Sequence, residues 1–112
     1  MGESLIMIIN NMKSDKGRTV PNQYVIKLNN CNVFQSYETV IAIRSYDSFH
    51  KRWEVFLNKE YYNYSKTTSK YRNKYLGLKT KQIEQKIKSK EFILKPNEEM
   101  ESTFRFVLTQ QI

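Results

Sequence analysis

Asp47, Ser48 and His50 are the residue types of a hydrolytic triad, and they fall within one short stretch. Three residues of a single turn rarely reach one another in triad geometry, and no G-x-S-x-G elbow accompanies them. His50, the single histidine of the chain, therefore reads as an exposed turn residue. Glu98, Glu99 and Glu101 could hold a cation weakly, but their spacing is that of a solvated loop. Arg72 and Arg105 could each clamp a phosphate, yet two isolated arginines do not define a catalytic centre. The three glycines stand at positions 2, 17 and 77, too scattered to cradle a phosphate, and no P-loop, G-x-G-x-x-G or H-E-x-x-H pattern is present. One cysteine, Cys31, excludes an internal disulfide and a cysteine-built zinc cage. The expectation is a protein that binds rather than catalyses, with no cofactor and no metal.

The chemistry that remains is electrostatic. The chain carries 19 Lys and Arg against 11 Asp and Glu, a net charge of +8. Residues 59–90 hold ten of the cations (Lys59, Lys66, Lys70, Arg72, Lys74, Lys79, Lys81, Lys86, Lys88 and Lys90) and only Glu60 and Glu84 as anions. The rest of the chain is neutral, so the whole excess sits in one segment. Concentrated positive charge attracts polyanions, of which nucleic-acid phosphates are the commonest in a cell. Tyr61, Tyr62, Tyr64, Tyr71 and Tyr75 are interleaved with these cations, and exposed aromatic faces stack on unpaired bases. The candidate contact residues are Lys66, Lys70, Arg72, Lys74, Lys79, Lys81 and Lys88, with Tyr61 and Tyr62. Two bland alternatives stand beside this one. Tyr71 and Tyr75, at helical spacing, read as core residues, and a row such as Lys66, Lys70 and Lys74 is equally the solvated face of a helix.

Something must position these side chains. Tyr64, Thr68, Tyr71 and Tyr75 fall within a narrow arc at 100° per residue, and Lys66, Lys70 and Lys74 fall on another side. The spacing predicts a helix begun by Ser65 or Thr67 as N-cap and stopped at Gly77. Thr80 can cap a second helix, ending near Lys90, with Ile83 and Ile87 as its inward pair. Before these helices the period is two. The pattern predicts strands over residues 23–28, 33–37, 39–45 and 52–57, with Asn29, Asn30, Cys31 and Asn32 in a turn and residues 47–51 at a hairpin tip. Trp53, Val55 and Leu57 share one face of the last of these. Residues 5–9 suggest a short strand followed by a loop through residues 10–17. After the helices, residues 91–94 read as β, residues 96–101 as an acidic loop, and residues 103–109 as a last strand with Phe104, Phe106 and Leu108 on one face. The expected fold is α+β: an antiparallel sheet of five or six strands, with two short helices inserted before the C-terminal strands. Its divisions are an N-terminal extension (1–20), a β-meander (21–57), a basic helical insertion (59–90) and C-terminal strands (91–112), within one domain.

A length of 112 residues suits one domain, and 13% aromatic residues with 39% hydrophobic excludes a disordered chain. No apolar run approaches the ~18 residues of a membrane span, and Met1, Gly2, Glu3 and Ser4 lack the cationic start of a signal peptide. A lone free cysteine suits a reducing cytoplasm.

Three further stretches carry a likeness. NQYVI at residues 22–26, FQSY at 34–37 and VIA at 40–42, followed by the more specific block YYNYSKTTSKYRNKYLG at 61–77, resemble a group of small bacteriophage proteins with no assigned function. A Trp often stands in that group where Tyr62 stands here. The likeness spans about residues 21–94 and carries no catalytic residues to transfer. It implies a phage or prophage protein acting in the bacterial cytoplasm on host nucleic-acid machinery, such as a CRISPR effector nucleoprotein whose nuclease it inhibits. Two other expectations remain open: a phage factor that binds DNA or RNA directly, and a virion or assembly protein. The absence of a helix-turn-helix, zinc finger or RNP motif favours the inhibitor.

Overall fold

Runs of β-branched and aromatic residues separated by tight polar turns pair with their neighbours in order. In the computed structural model, which describes residues 7–110, this produces strands β1 (Ile8–Lys13), β2 (Thr19–Leu28), β3 (Cys31–Ser36), β4 (Thr39–Asp47) and β5 (Arg52–Asn58). The pairings β1–β2, β2–β3, β3–β4 and β4–β5 are all antiparallel. The chain then forms α1 (Lys66–Leu76) and α2 (Thr80–Lys88), adds β6 (Phe92–Lys95) and closes with α3 (Asn97–Gln110). The strands lie in one six-stranded sheet in sequence order. The fold class is α+β.

Both faces of the sheet are covered. Phe34, Ile41, Val55, Leu57 and Phe92 meet Tyr71 of α1 and Ile83 of α2 on one face. On the other, Ile26, Leu28, Cys31, Val33, Val40 and Ile43 meet Met100 of α3, with Phe56, Phe104, Val107 and Leu108 packed around them. A bulge divides β4 between these layers. Ala42 opposes Phe34 and Val40 opposes Gln35, leaving Ile41 without an opposite residue. Ile41 and Ala42 therefore enter the first cluster while Val40 and Ile43 enter the second.

Several expectations change. Residues 10–13 belong to a strand rather than a loop, so the N-terminal segment supplies the edge of the sheet. Of the short strand expected at residues 5–9, Leu5 and Ile6 lie outside the described residues. The β2–β3 turn is only Asn29 and Asn30, with Asn30 at φ 56°, a conformation Asn tolerates. β6 runs parallel to β5, from Val55 opposite Phe92 to Asn58 opposite Lys95, because the two-helix crossover returns the chain to the end where β5 began.

The largest change is at the C-terminus. Residues 103–109, expected as a strand, are helical. Phe104, Phe106 and Leu108 alternate, but Met100, Phe104, Val107 and Leu108 also recur at the 3.6-residue period, and these four pack on the sheet. Phe106, which the strand pattern needed inside, is 63% exposed. Pro96 precedes the first turn, and Glu98 and Glu99 within it complement the helix dipole.

Cys31 opens β3 and is 3% exposed; it is a core residue, not a turn residue. Burial pushes its thiol up to about 11. At pH 8 the native protein is expected to react with a disulfide reagent such as DTNB at least about a hundredfold more slowly than an exposed cysteine. Stoichiometric reaction should follow unfolding in guanidinium. Rapid labelling of the native protein would contradict this placement.

Candidate anion-binding surface

Local sequence delimits α1. Ser65, extended at φ −142°, accepts the Thr68 N–H on its Oγ, and Gly77 ends the helix at φ 68° with its N–H donated to Asn73 O. The buried side is Thr68, Tyr71 and Arg72. Lys66 and Lys70 therefore project from the opposite side, away from the sheet. In α2 the buried residue is Ile83, with Ile87 half-buried, so Lys81 and Lys88, seven residues apart, project outward. Both helices cover the same face of the sheet, and their outer sides form one layer.

The lysines of that layer divide into two groups. Lys74 Nζ lies 2.9 Å from an Asp15 carboxylate oxygen, Lys70 Nζ lies 4.0 Å from the other, and Lys74 also donates to Lys13 O at 2.8 Å. Asp15 sits in the β1–β2 turn, whose Gly17 takes φ 77°. The hydrogen bond from Lys74, and then the charges of Lys74 and Lys70, hold the Asp15 carboxyl below its ordinary range. Lys86 similarly pairs with Glu91 at 2.9 Å. The second group is exposed: among the described residues Lys59, Lys66, Lys79, Lys81, Lys88 and Lys90 have no carboxylate within ion-pair distance. Lys79 lies at the junction of the helices, where Lys70, Lys74 and Asp15 border a shallow depression of about 510 Å³.

Arg72 does not belong to this surface. It is 0% exposed. Its Nη1 donates to Tyr62 O at 2.6 Å, its Nε and Nη2 to Asn73 Oδ1 at 3.0 and 2.8 Å, and its Nη2 to Thr80 Oγ1 at 3.3 Å. Its guanidinium carbon sits 5.6 Å from the centre of the Tyr62 ring. Burial lowers its pKa. Arg72 ties the segment before α1 to the start of α2. Tyr62, under it, is half-buried against the core, as is Tyr61. Neither is an open stacking platform, though Tyr61 packs edge-on against Tyr64, which is 74% exposed. Tyr71 is a core residue, as its spacing implied. Tyr75 is half-buried, stacks on Phe34 and donates its hydroxyl to Asn32. Spacing alone missed Asp15, because its partners lie on a helix far along the chain.

The opposite layer differs in sign. α3 contains Glu98, Glu99 and Glu101 against Arg105 alone, and Arg105 pairs with Glu101 at 3.6 Å. At the far hairpin, Asp47 accepts the N–H groups of Phe49 and His50 on Oδ1, and its Oδ2 lies 2.5 Å from His50 Nδ1. This contact lowers the Asp47 pKa and organises the turn. No helix among the described residues is long and apolar enough to cross a membrane.

Neither a curated protein nor a solved structure matches this chain. Residues 7–93, from the start of the sheet through both basic helices into β6, match a family of unknown function, DUF8033, and the chain belongs to that family.

Proposed function

We propose that the protein is a non-catalytic binding module whose α1–α2 layer grips the phosphate backbone of a nucleic acid. The observation that supports this reading is the polarity across the sheet: outward lysines without carboxylate partners among the described residues on one side, and a helix with excess glutamate on the other. Such an asymmetric field orients the molecule toward a polyanion before contact. Fluorescence anisotropy with a labelled oligonucleotide tests it. Affinity should fall linearly with the logarithm of salt, with a slope near −0.9 per phosphate contact on duplex DNA or −0.7 on a single strand. No binding at low salt, or binding indifferent to salt, would remove the proposal.

On the resemblance to small bacteriophage proteins of unassigned function, we extend the proposal to a backbone carried inside a host defence nucleoprotein, such as a CRISPR effector. Cleavage by such a nuclease unchanged in excess protein would discard that extension and leave the phosphate grip standing.

Asp15 supplies a further check. As a carboxylate with a lowered pKa, it holds Lys70 and Lys74 at all pH values above the ordinary carboxylate range, and releases them only as pH falls through its own value. Asp15→Asn should free both cations at neutral pH. The expected result is several-fold tighter binding, with the salt slope steeper by up to about 2. Weaker binding would show that Asp15 organises the surface rather than restraining it.

A further inference from the structure

A second feature borders the basic layer. Where α1 begins, the β3–β4 turn and the segment after β5 enclose a cavity of about 260 Å³. Tyr37, Tyr61 and Tyr64 supply its aromatic walls, with Ile41 alongside. Tyr37 and Tyr64 are 59% and 74% exposed, so ring faces remain open to a ligand. Ser36, Thr39, Ser65 and Thr68 supply hydroxyls. Three of these form a chain, with Ser36 Oγ and Ser65 Oγ at 3.0 and 3.1 Å from Thr68 Oγ1.

The aromatic wall on the turn is held in an unusual conformation. Tyr37 takes φ 55°, a left-handed backbone that disfavours a side chain of this size. It is locked there by its N–H donating to Asn22 O at 2.7 Å and by Gln35 Nε2 donating to its carbonyl at 2.7 Å. Strain of this kind persists only where the surroundings over-determine it.

We infer that this cavity takes an unpaired nucleobase, so that the protein prefers single-stranded over duplex nucleic acid. The inference rests on the phosphate-binding reading above and specifies its substrate class. The volume is below the ~300–1,000 Å³ of sites for drug-sized ligands, which suits one planar group rather than a nucleotide with its phosphates. The Ser36, Ser65 and Thr68 hydroxyls bond one another, the Thr39 hydroxyl can donate to or accept from a base edge, and aromatic faces stack on all four bases. A tyrosine cage also suits a quaternary ammonium group, but the charge argues against a cation. Among the described residues no carboxylate lines the cavity. The positive end of the α1 dipole adjoins it at Ser65, and Lys66, the next residue, is exposed without a carboxylate partner among the described residues. A base seated among the tyrosines would leave its phosphate beside Lys66.

The test compares a single strand, containing 2-aminopurine, with its duplex, using the wild type, Tyr64→Ala, Tyr37→Asn and Lys66→Gln. Asn tolerates the left-handed conformation at 37, and Tyr64 is mostly exposed, so both tyrosine variants should fold; circular dichroism checks this. The wild type should bind the single strand at least about tenfold more tightly and change the 2-aminopurine emission. Each tyrosine variant should lose about tenfold in single-strand affinity, together with the emission change, and retain its duplex affinity. Lys66→Gln should weaken both. Tyrosine variants that bind the single strand like the wild type would overturn the base pocket and leave the phosphate grip intact. Absence of salt-dependent binding to either form would overturn both. Binding of a trimethyl-lysine peptide in place of the oligonucleotide would assign the cage to a cation and overturn the inference.

Discussion

Arg72→Ala is expected to remove on the order of 3 kcal/mol of folding stability, enough to lower the melting temperature by roughly 10–20 °C. The side chain is wholly buried and donates to the Tyr62 carbonyl, the Asn73 side chain and the Thr80 hydroxyl. Truncation removes these bonds and a guanidinium packed over the Tyr62 ring. Hydrogen bonds from a charged donor contribute about 1.5–3 kcal/mol each, and water recovers part of that loss because Tyr62 and Asn73 are half-buried and Thr80 is exposed. Arg72→Lys should recover little, because one ammonium cannot span the acceptors that a planar fork reaches. Thermal or urea unfolding measures both variants. A loss below about 1 kcal/mol for the alanine variant would mean that Arg72 is not a structural tie.

The surface lysines should behave in the opposite way. Replacing Lys66, Lys79, Lys81 and Lys88 together by glutamine, which keeps helix propensity, is expected to leave the melting temperature nearly unchanged, as exposed substitutions usually do. Its effect is on binding. Four lost phosphate contacts make the duplex salt slope shallower by roughly 3–4 and reduce affinity on the order of a thousandfold at 0.1 M salt. Lys70→Gln with Lys74→Gln should cost much less affinity, because Asp15 already engages both cations. Equal losses from the two sets, or an unchanged slope in the quadruple variant, would show that the α1–α2 layer is not the contact. Arg72 and the lysines thus separate stability from binding, although all lie in the same cation-rich segment.

Local signals carried much of the architecture. Ser65 and Gly77 delimit α1 because both caps bond within the helix or its immediate flanks. The alternation of β2, β3 and β5 survives because each strand pairs with its neighbour through a short turn, while the bulge at Ile41 interrupts it in β4. α3 was illegible because residues 103–109 satisfy a period of two as readily as one of 3.6. Only Met100, three residues upstream of that window, and the hydrophobic sheet face beneath it decide between them. The sequence pattern ends the edge strand β1 near residue 9, because Asn10 and Asn11 look like loop residues until β2 is there to pair with them.

The division for the charged residues follows from the same physics. Amino-acid order settles where along the chain the cations accumulate and that the first basic helix has a lysine side and a tyrosine side, because 100° per residue is a local rule. Whether each cation faces solvent depends on which distant group arrives beside it. Asp15 reaches Lys74 only because the β1–β2 turn comes to lie against α1, and the Arg72 guanidinium is consumed only because Tyr62 and Thr80 close over it from either side of the helix. Those encounters belong to the packed chain and decide which charges remain available to a partner.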